Sequence, residues 1–145
     1  MPLAYADTSF LIALYGNDNH TRAARAVAVS SSSPLLLCEL SRLEFENALR
    51  LLRFRKLVET RFVNAALAAA RQDEQAGLLR AVACDWPAVF MQAQGISTRH
   101  TMKEGHRTMD ILHVAAARTQ LAKHFFSFDE RQRKLAAQEG LSLNP

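Results

Sequence analysis

Four acidic residues are predicted to lie where helices begin. They are Asp7, Glu44, Asp110 and Asp129, and three of them come just after an apolar strand or at the next helix start. In an open α/β sheet such positions converge on one crevice beside the carboxyl ends of the strands. Carboxylates crowded in a crevice repel one another unless a cation lies between them. The pattern therefore predicts a divalent-metal site.

Oxygen-rich surroundings of this kind suit a hard cation. Mg²⁺ and Mn²⁺ take oxygen ligands and usually need only a few carboxylates together with substrate phosphate. The hydroxyl residues Thr8, Ser9 and Ser127 stand close to the acids in the sequence. We expect them to orient the carboxylates or the waters around an ion.

Helix capping is the structural alternative for each acid taken singly. Asp is favoured at a helix N-cap, a Glu three residues after a Ser completes a capping box, and an acid in a first turn complements the helix dipole. The four cases are Asp7 before Thr8–Tyr15, Glu44 after Ser41, Asp110 after Thr108, and Asp129 before Gln132. Taken together, acids at all four junctions favour the metal site, because Ser, Thr or Asn would cap a helix without adding charge.

The composition is typical of a globular protein. Hydrophobic residues make up 49% and charged residues 22% of the 145 residues, which predicts one domain over residues 1–145 with a sizeable core. The formal charge of +4 favours polyanionic partners only mildly. With a metal site it indicates phosphodiester chemistry.

The cysteines and the apolar segments bear on the compartment. Cys38 and Cys84 are far apart in apolar stretches, so we expect buried free thiols and a reducing cytoplasm. The N-terminus lacks a basic leader, and no apolar run is long enough to span a bilayer. The sequence therefore predicts a cytoplasmic location without a membrane partner.

Short apolar segments alternate with helical ones along the chain. Strands are predicted at residues 3–6, 35–38, 79–83, 125–128 and 141–143. Helices are predicted at residues 9–15, 20–29, 40–54, 58–76, 87–102, 110–122 and 130–138, with Gly95 as a weak point of the fifth. This alternation is typical of an α/β sandwich with a central, mainly parallel sheet.

Four segments, in order, resemble the motifs of the PIN-domain family. They are residues 5–9, 42–50, 107–117 and 126–132, which contain the four acids. More narrowly, the chain is similar to VapC-type toxins of type II toxin–antitoxin pairs. The resemblance covers essentially the whole chain and implies a three-layer α/β/α sandwich.

The resemblance also implies an activity and a set of partners. It assigns metal-binding and catalytic roles to Asp7, Glu44, Asp110 and Asp129, with Mg²⁺ or Mn²⁺ as cofactor and RNA as substrate. Cleavage is expected to use an activated water and to leave a 5′-phosphate and a 3′-hydroxyl. A small antitoxin is expected to cover the site, and the Ala-rich helices at 20–29 and 58–76 offer faces for it or for a homodimer.

Basic residues near the acids are candidates for holding the RNA backbone. Arg107, beside Thr108 at a helix start, is the first of these, and Arg42 and Arg131 are the others. A solvated surface or ion pairs explain most such residues equally well. His113 shares a helical face with Asp110, but its apolar neighbours favour a packed, hydrogen-bonded histidine over a metal ligand.

Two other functions remain open from the residues. A non-catalytic RNA-binding or scaffold module would use the same fold without a metal. An aspartate-nucleophile phosphatase would use Asp7, but the second acid of its D-x-D motif is missing because position 9 is Ser.

Overall fold

A five-stranded parallel sheet is the frame of the protein. The structure is a computed structural model that describes residues 2–145. Its strands are β1 (Ala4–Ala6), β2 (Leu35–Cys38), β3 (Leu79–Val82), β4 (His124–Phe126) and β5 (Ser142–Asn144). They lie in the order β3-β2-β1-β4-β5, and every neighbouring pair is parallel. The predicted parallel sheet is confirmed.

Helices cover both faces of the sheet. They are α1 (Thr8–Tyr15), α2 (Thr21–Ser30), α3 (Glu39–Phe54), α4 (Thr60–Gln75), α5 (Trp86–Glu104), α6 (Thr108–Thr119) and α7 (Glu130–Gln138). Side chains of α1 to α4 share one hydrophobic cluster with Ala4 and Ala6 of β1, whereas α5 to α7 share the other with Tyr5. Alternate residues of a strand face opposite sides, so these clusters are the two cores of the three-layer sandwich that the resemblance implies.

Burial on both faces explains why the strands read as apolar runs and not as alternating patterns. All four residues of β2 are buried. The edge strand β3 fully buries only its first residue, Leu79.

Most helix boundaries differ from the predicted ones by one to three residues, and two of these differences have a clear structural cause. The helix predicted to end at Ala122 ends at Thr119, because Leu121 adopts a left-handed conformation with φ of 58° and the Ala122 amide bonds back to Ala117. Helix α5 continues through Gly95 to Glu104, and the Arg99 guanidinium lies against the glycine, 3.0 Å from the position of a Cβ.

Within residues 2–145, none of the helices is both long and apolar enough to cross a bilayer. Both cysteines are free: Cys38 is buried, and Cys84 is partly buried.

The strand order defines where a ligand site is expected. From the central β1, the chain builds β2 and β3 on one side and later β4 and β5 on the other. The connections after β1 and β4 therefore leave the sheet in opposite directions, and a crevice is expected at the carboxyl ends of these two strands. Asp7 directly follows β1, and Ser127 directly follows β4.

Candidate active site

Asp7 lies in this crevice and is almost completely buried, with 1% of its surface exposed. It is the N-cap of α1, where its Oδ1 accepts hydrogen bonds from the Phe10 amide at 2.9 Å and the Ser9 hydroxyl at 2.7 Å. The Ser127 hydroxyl donates to Oδ2 at 2.5 Å. Burial raises the pKa of Asp7 above its usual 3.8, although these hydrogen bonds act in the opposite direction. A nearby cation would stabilise the charged form of this buried carboxylate.

Ser127 connects the first acid to the last. Its Oγ donates to Asp7 and accepts the Asp129 amide at 3.0 Å. The Ser9 hydroxyl lies 3.3 Å from that of Ser127 and also accepts the Phe128 amide at 3.0 Å. The two hydroxyls therefore tie the start of α1 to the segment that follows β4.

The predicted position of Glu44 at a helix start is wrong. Helix α3 begins at Glu39, directly after β2, so Glu44 lies on its second turn. The predicted bond from Glu44 back to Ser41 is replaced by one from the Cys38 amide to the Ser41 hydroxyl at 3.1 Å. Ser41 itself closes the first turn, and the Glu44 carboxylate is free to face the other acids.

Glu44 is held by side chains from two other helices. Its Oε2 accepts a hydrogen bond from Thr8 Oγ1 at 2.8 Å and contacts His113 Nε2. Burial alone would raise the pKa of Glu44, but the hydrogen bond and charge of His113, with smaller effects of Thr8 and Arg107, lower it. Glu44 is therefore an ionised carboxylate near the crevice.

His113 is packed and hydrogen-bonded, as predicted from its apolar neighbours. It lies on α6 with 2% of its surface exposed, and its Nδ1 is 2.9 Å from the Tyr5 hydroxyl. The Tyr5 hydroxyl is also 3.3 Å from Cys38 Sγ. Burial raises the pKa of Tyr5 well above its usual range, so the hydroxyl keeps its proton.

Arg107 lies between the remaining two acids. Its Nε donates to Asp110 Oδ2 at 3.0 Å, and its Nη2 is 3.9 Å from Asp129 Oδ2. The hydrogen bond to Asp110 and the charges of Asp110, Asp129 and Glu44 raise the pKa of Arg107. The arginine is 68% exposed, whereas Asp110 is 7% exposed. One exposed cationic side chain therefore contacts two of the acids and feels the charge of a third.

Gln132 is a site residue that the sequence reasoning missed. The predicted capping box at Asp129 is half present, since Asp129 Oδ1 accepts the Gln132 amide at 3.0 Å. The Gln132 side chain does not bond back to Asp129, and its Nε2 instead donates to Asp110 Oδ1 at 3.3 Å. In the sequence, Gln132 is recognisable only by its spacing of three residues from Asp129. That spacing is compatible with a helix cap and equally with a contact to Asp110.

The other two basic candidates lie apart from these acid contacts. Arg42 forms an ion pair with Glu74 of α4 at 2.8 Å. Arg131 is exposed in the first turn of α7. Arg107 is thus the candidate that contacts the predicted acids directly.

The acids do not form a preassembled cation cage. Asp7, Asp110 and Asp129 are connected through shared partners, whereas Glu44 is bonded separately to Thr8 and His113. Among residues 2–145, no three His, Cys, Asp or Glu side chains converge closely enough to hold one ion. Hydrogen-bond donors of the protein contact the carboxylates instead. Asp7 accepts three hydroxyl or amide donors, and Glu44 contacts Thr8 and His113. Arg107 lies against Asp110 and Asp129. The four candidate metal ligands are all carboxylates, and a hard cation prefers such oxygen ligands. One carboxylate accepts about four hydrogen bonds, and Asp7 accepts three, so one acceptor position of Asp7 stays free.

Comparison with known proteins identifies the fold family. A family model described as the PIN domain matches residues 4–138. No curated protein matches the chain.

Three solved structures with the same fold come from bacteria. VapC20 of Mycobacterium tuberculosis, a sarcin–ricin loop cleaving toxin, is 21% identical over 98% of this chain and 99% of its own, with a TM-score of 0.70. DNA-bound VapBC of Salmonella typhimurium is 13% identical over 99% and 98%, with a TM-score of 0.68. FitAcB of Neisseria gonorrhoeae is 14% identical over 99% and 97%, with a TM-score of 0.64. At these identities the likeness shows a shared fold.

Proposed function

Because the chain belongs to the PIN domain family, we propose that it is a divalent-metal-dependent endoribonuclease and the cytoplasmic toxin of a type II toxin–antitoxin pair. The observation that carries the proposal is that Asp7 and Asp110, both nearly buried, are connected to Asp129 through Ser127, Gln132 and Arg107 at the switch point of the sheet. Glu44 lies beside them through its bond to Thr8, the neighbour of Asp7. A structurally similar protein, VapC20, is a toxin that cleaves the sarcin–ricin loop. RNA is therefore the substrate class that we propose for this chain.

Mg²⁺ or Mn²⁺ is the proposed cofactor, held by Asp7 and Asp110 with direct or water-mediated help from Glu44 and Asp129. The ion supplies Lewis-acid polarisation of a phosphoryl oxygen and lowers the pKa of an attacking water. These four carboxylates come from four different segments, so they can hold an ion only while the segments after β1 and β4 keep their relative positions. Ser9 and Ser127 fix these positions through their hydrogen bonds to Asp7.

Arg107 has two roles in this proposal. In the free protein it balances the charge of Asp110 and Asp129. When a cation takes over that charge, the exposed guanidinium is free to turn outwards and bind an RNA phosphate, for which its planar fork is well suited.

Cleavage of a defined 5′-labelled RNA by the purified protein tests the proposal. We expect cutting in Mg²⁺ or Mn²⁺, none in EDTA, and products that carry a 5′-phosphate and a 3′-hydroxyl. Contaminating metal-independent ribonucleases would leave cyclic phosphates, so the product ends serve as a control. RNA binding without cleavage in either metal would support the scaffold function and contradict the enzyme.

The variant Arg107→Ala separates the two roles of this side chain. We expect Mn²⁺ to bind about two- to fivefold more tightly, the range of an exposed ion pair, because a competing cation is removed. RNA cleavage at saturating Mn²⁺ should nevertheless fall, because a phosphate contact is lost. Calorimetry and cleavage rates measure the two effects, with Arg131→Ala as an exposed arginine for comparison. Unchanged Mn²⁺ affinity would contradict the competition.

We propose that the antitoxin covers the carboxylates and also contacts a cavity between α2 and α4, at the opposite end of the strands from Asp7. The cavity measures about 870 Å³ and lies beside the start of β2 and β3. Its wall is mainly apolar, with Ala28 and Val29 from α2 and Ala65, Ala66 and Ala69 from α4. Val29 is 87% exposed. Small side chains on α4 allow close approach of a partner helix, which is the type of partner that the family resemblance implies.

The variant Ala65→Arg is expected to abolish antitoxin binding without changing RNA cleavage. Ala65 is exposed in the free protein and lines the cavity, so an arginine there fills the groove but does not disturb the core. Ala68→Arg is the matched control, since Ala68 is also exposed on α4 but lies outside the cavity lining. Co-purification with the product of a short reading frame beside this gene measures the difference. Equal binding by both variants would place the antitoxin elsewhere.

A homodimer is also proposed, and α5 offers a surface for it. Phe90 and Met91 are exposed on this helix, while Trp86 packs partly against the core. Light scattering of the purified protein determines whether two copies associate, and a monomer at all concentrations would contradict the proposal.

A further inference from the structure

His113 lies between Glu44 and the interior of the protein. Its Nε2 contacts Glu44 Oε2, and its Nδ1 is 2.9 Å from the Tyr5 hydroxyl. The ring meets the Tyr5 ring edge to face, with centroids 5.9 Å apart. Both nitrogen atoms of this buried side chain therefore have defined partners, one towards the acids and one towards β1.

The partners determine which nitrogen donates. An ionised carboxylate only accepts hydrogen bonds, so His113 Nε2 must carry the hydrogen that Glu44 receives. In a neutral ring Nδ1 then accepts, and the Tyr5 hydroxyl donates to it. Tyr5 is completely buried and cannot turn to solvent. A continuous hydrogen-bonded chain therefore connects Tyr5, His113 and Glu44.

Core packing does not account for this arrangement. His113 is surrounded on α6 by buried apolar residues, where Leu or Met would fill the volume without a polar group to satisfy. Glu44, by contrast, is 31% exposed at its side chain and has three torsions that water would leave free. The buried imidazole therefore restrains a partly exposed carboxylate.

We infer that His113 is a positioning residue that holds the Glu44 carboxylate in the orientation needed to receive a divalent cation, with Tyr5 fixing the imidazole from behind. The inference rests on the proposed metal-dependent function and extends it to residues outside the set of acids. His113 contacts neither ion nor RNA in this role. Metal-centre ligands are commonly oriented by such outer hydrogen bonds, whose removal typically costs about 10- to 100-fold in metal affinity.

Two amide substitutions distinguish positioning from packing. In His113→Gln the side-chain amide reaches the place of Nε2 and still donates to Glu44. In His113→Asn the shorter amide reaches only the place of Nδ1, so it can bond to Tyr5 but leaves Glu44 unrestrained. We expect Mn²⁺ affinity within about threefold of wild type for His113→Gln, and about 10- to 100-fold weaker for His113→Asn.

Mn²⁺ affinity is measured by isothermal titration calorimetry, and thermal unfolding of the metal-free proteins verifies that both variants fold. Tyr5→Phe removes the hydroxyl and keeps the ring, and it should weaken Mn²⁺ binding by a smaller factor. This variant tests the same series of hydrogen bonds if His113→Asn fails to fold. Equal Mn²⁺ affinity of wild type, His113→Asn and Tyr5→Phe would overturn the inference alone. Absence of Mn²⁺ binding by the wild type would overturn the proposed function and this inference with it.

Discussion

Asp7→Asn is expected to abolish RNA cleavage while making the metal-free protein more stable. The substitution removes the charge that an ion would bind and keeps the shape of the side chain. The amide oxygen can still accept from Ser9 and the Phe10 amide, and the new NH₂ group can donate to Ser127. Asn caps a helix as well as Asp does. The fold is therefore retained while the proposed metal site is lost.

The gain in stability follows from the raised pKa of Asp7. Burial favours the protonated form in the folded state, so this form stabilises the fold fully below the usual pKa of 3.8. That contribution is lost as the pH rises through the raised folded-state value, and the charged carboxylate then weakens the fold. At pH 7 we therefore expect Asp7→Asn to raise both the free energy of unfolding and the Tm of the metal-free protein.

Thermal unfolding in EDTA from pH 7 down to pH 4 checks this expectation. The advantage of the variant should shrink as the pH falls. Asp85→Asn is the matched control, because Asp85 is the N-cap of α5 and accepts the Ala88 amide in an exposed position. That control should leave RNA cleavage unchanged. A full rate of cleavage by Asp7→Asn would refute the role of Asp7.

Asp110→Asn is expected to reduce RNA cleavage by at least about 100-fold. Removal of a residue that only orients a ligand costs about 10- to 100-fold, and loss of a ligand should cost no less. The Asn oxygen can keep the hydrogen bond from Gln132, but the ion pair with Arg107 is lost. The measurement is the single-turnover rate at saturating Mn²⁺, which separates chemistry from RNA binding.

Glu130→Gln is the control for Asp110→Asn. Glu130 is exposed in the first turn of α7 and adjoins Asp129, so it shares the charge of the region. We expect its substitution to change the single-turnover rate by less than about twofold, the scale of exposed surface changes. Equal losses in both variants would mean that general negative charge, and not a metal site, supports cleavage.

The fold was largely predictable because strands buried on both faces leave a clear sequence pattern. Residues 35–38 read as a strand and form β2, and Asp7 was placed correctly at the N-cap of α1. Glu44 was misplaced for a physical reason. Helix α3 follows β2 without a loop, and Ser41 fits equally well as a cap or as the residue that closes the first turn. Local spacing alone cannot distinguish these two roles.

The contacts within the site were less predictable than its members. Glu44 and His113 are 69 residues apart, and they meet beside the carboxyl ends of the strands although α3 and α6 cover opposite faces of the sheet. Arg107 was predicted to bind RNA, but its spacing of three residues from Asp110 also permits the ion pair that the structure contains. The sequence pattern indicates which residues can lie at the same end of the sheet. Tertiary packing determines which of them contact one another.

Binding of Mn²⁺ to the purified protein, followed by electron paramagnetic resonance, tests the central claim most directly. The account predicts saturable Mn²⁺ binding by the wild type that is lost in the double variant Asp7→Asn, Asp110→Asn, with the fold intact. Identical Mn²⁺ binding by the wild type and the folded double variant would contradict it.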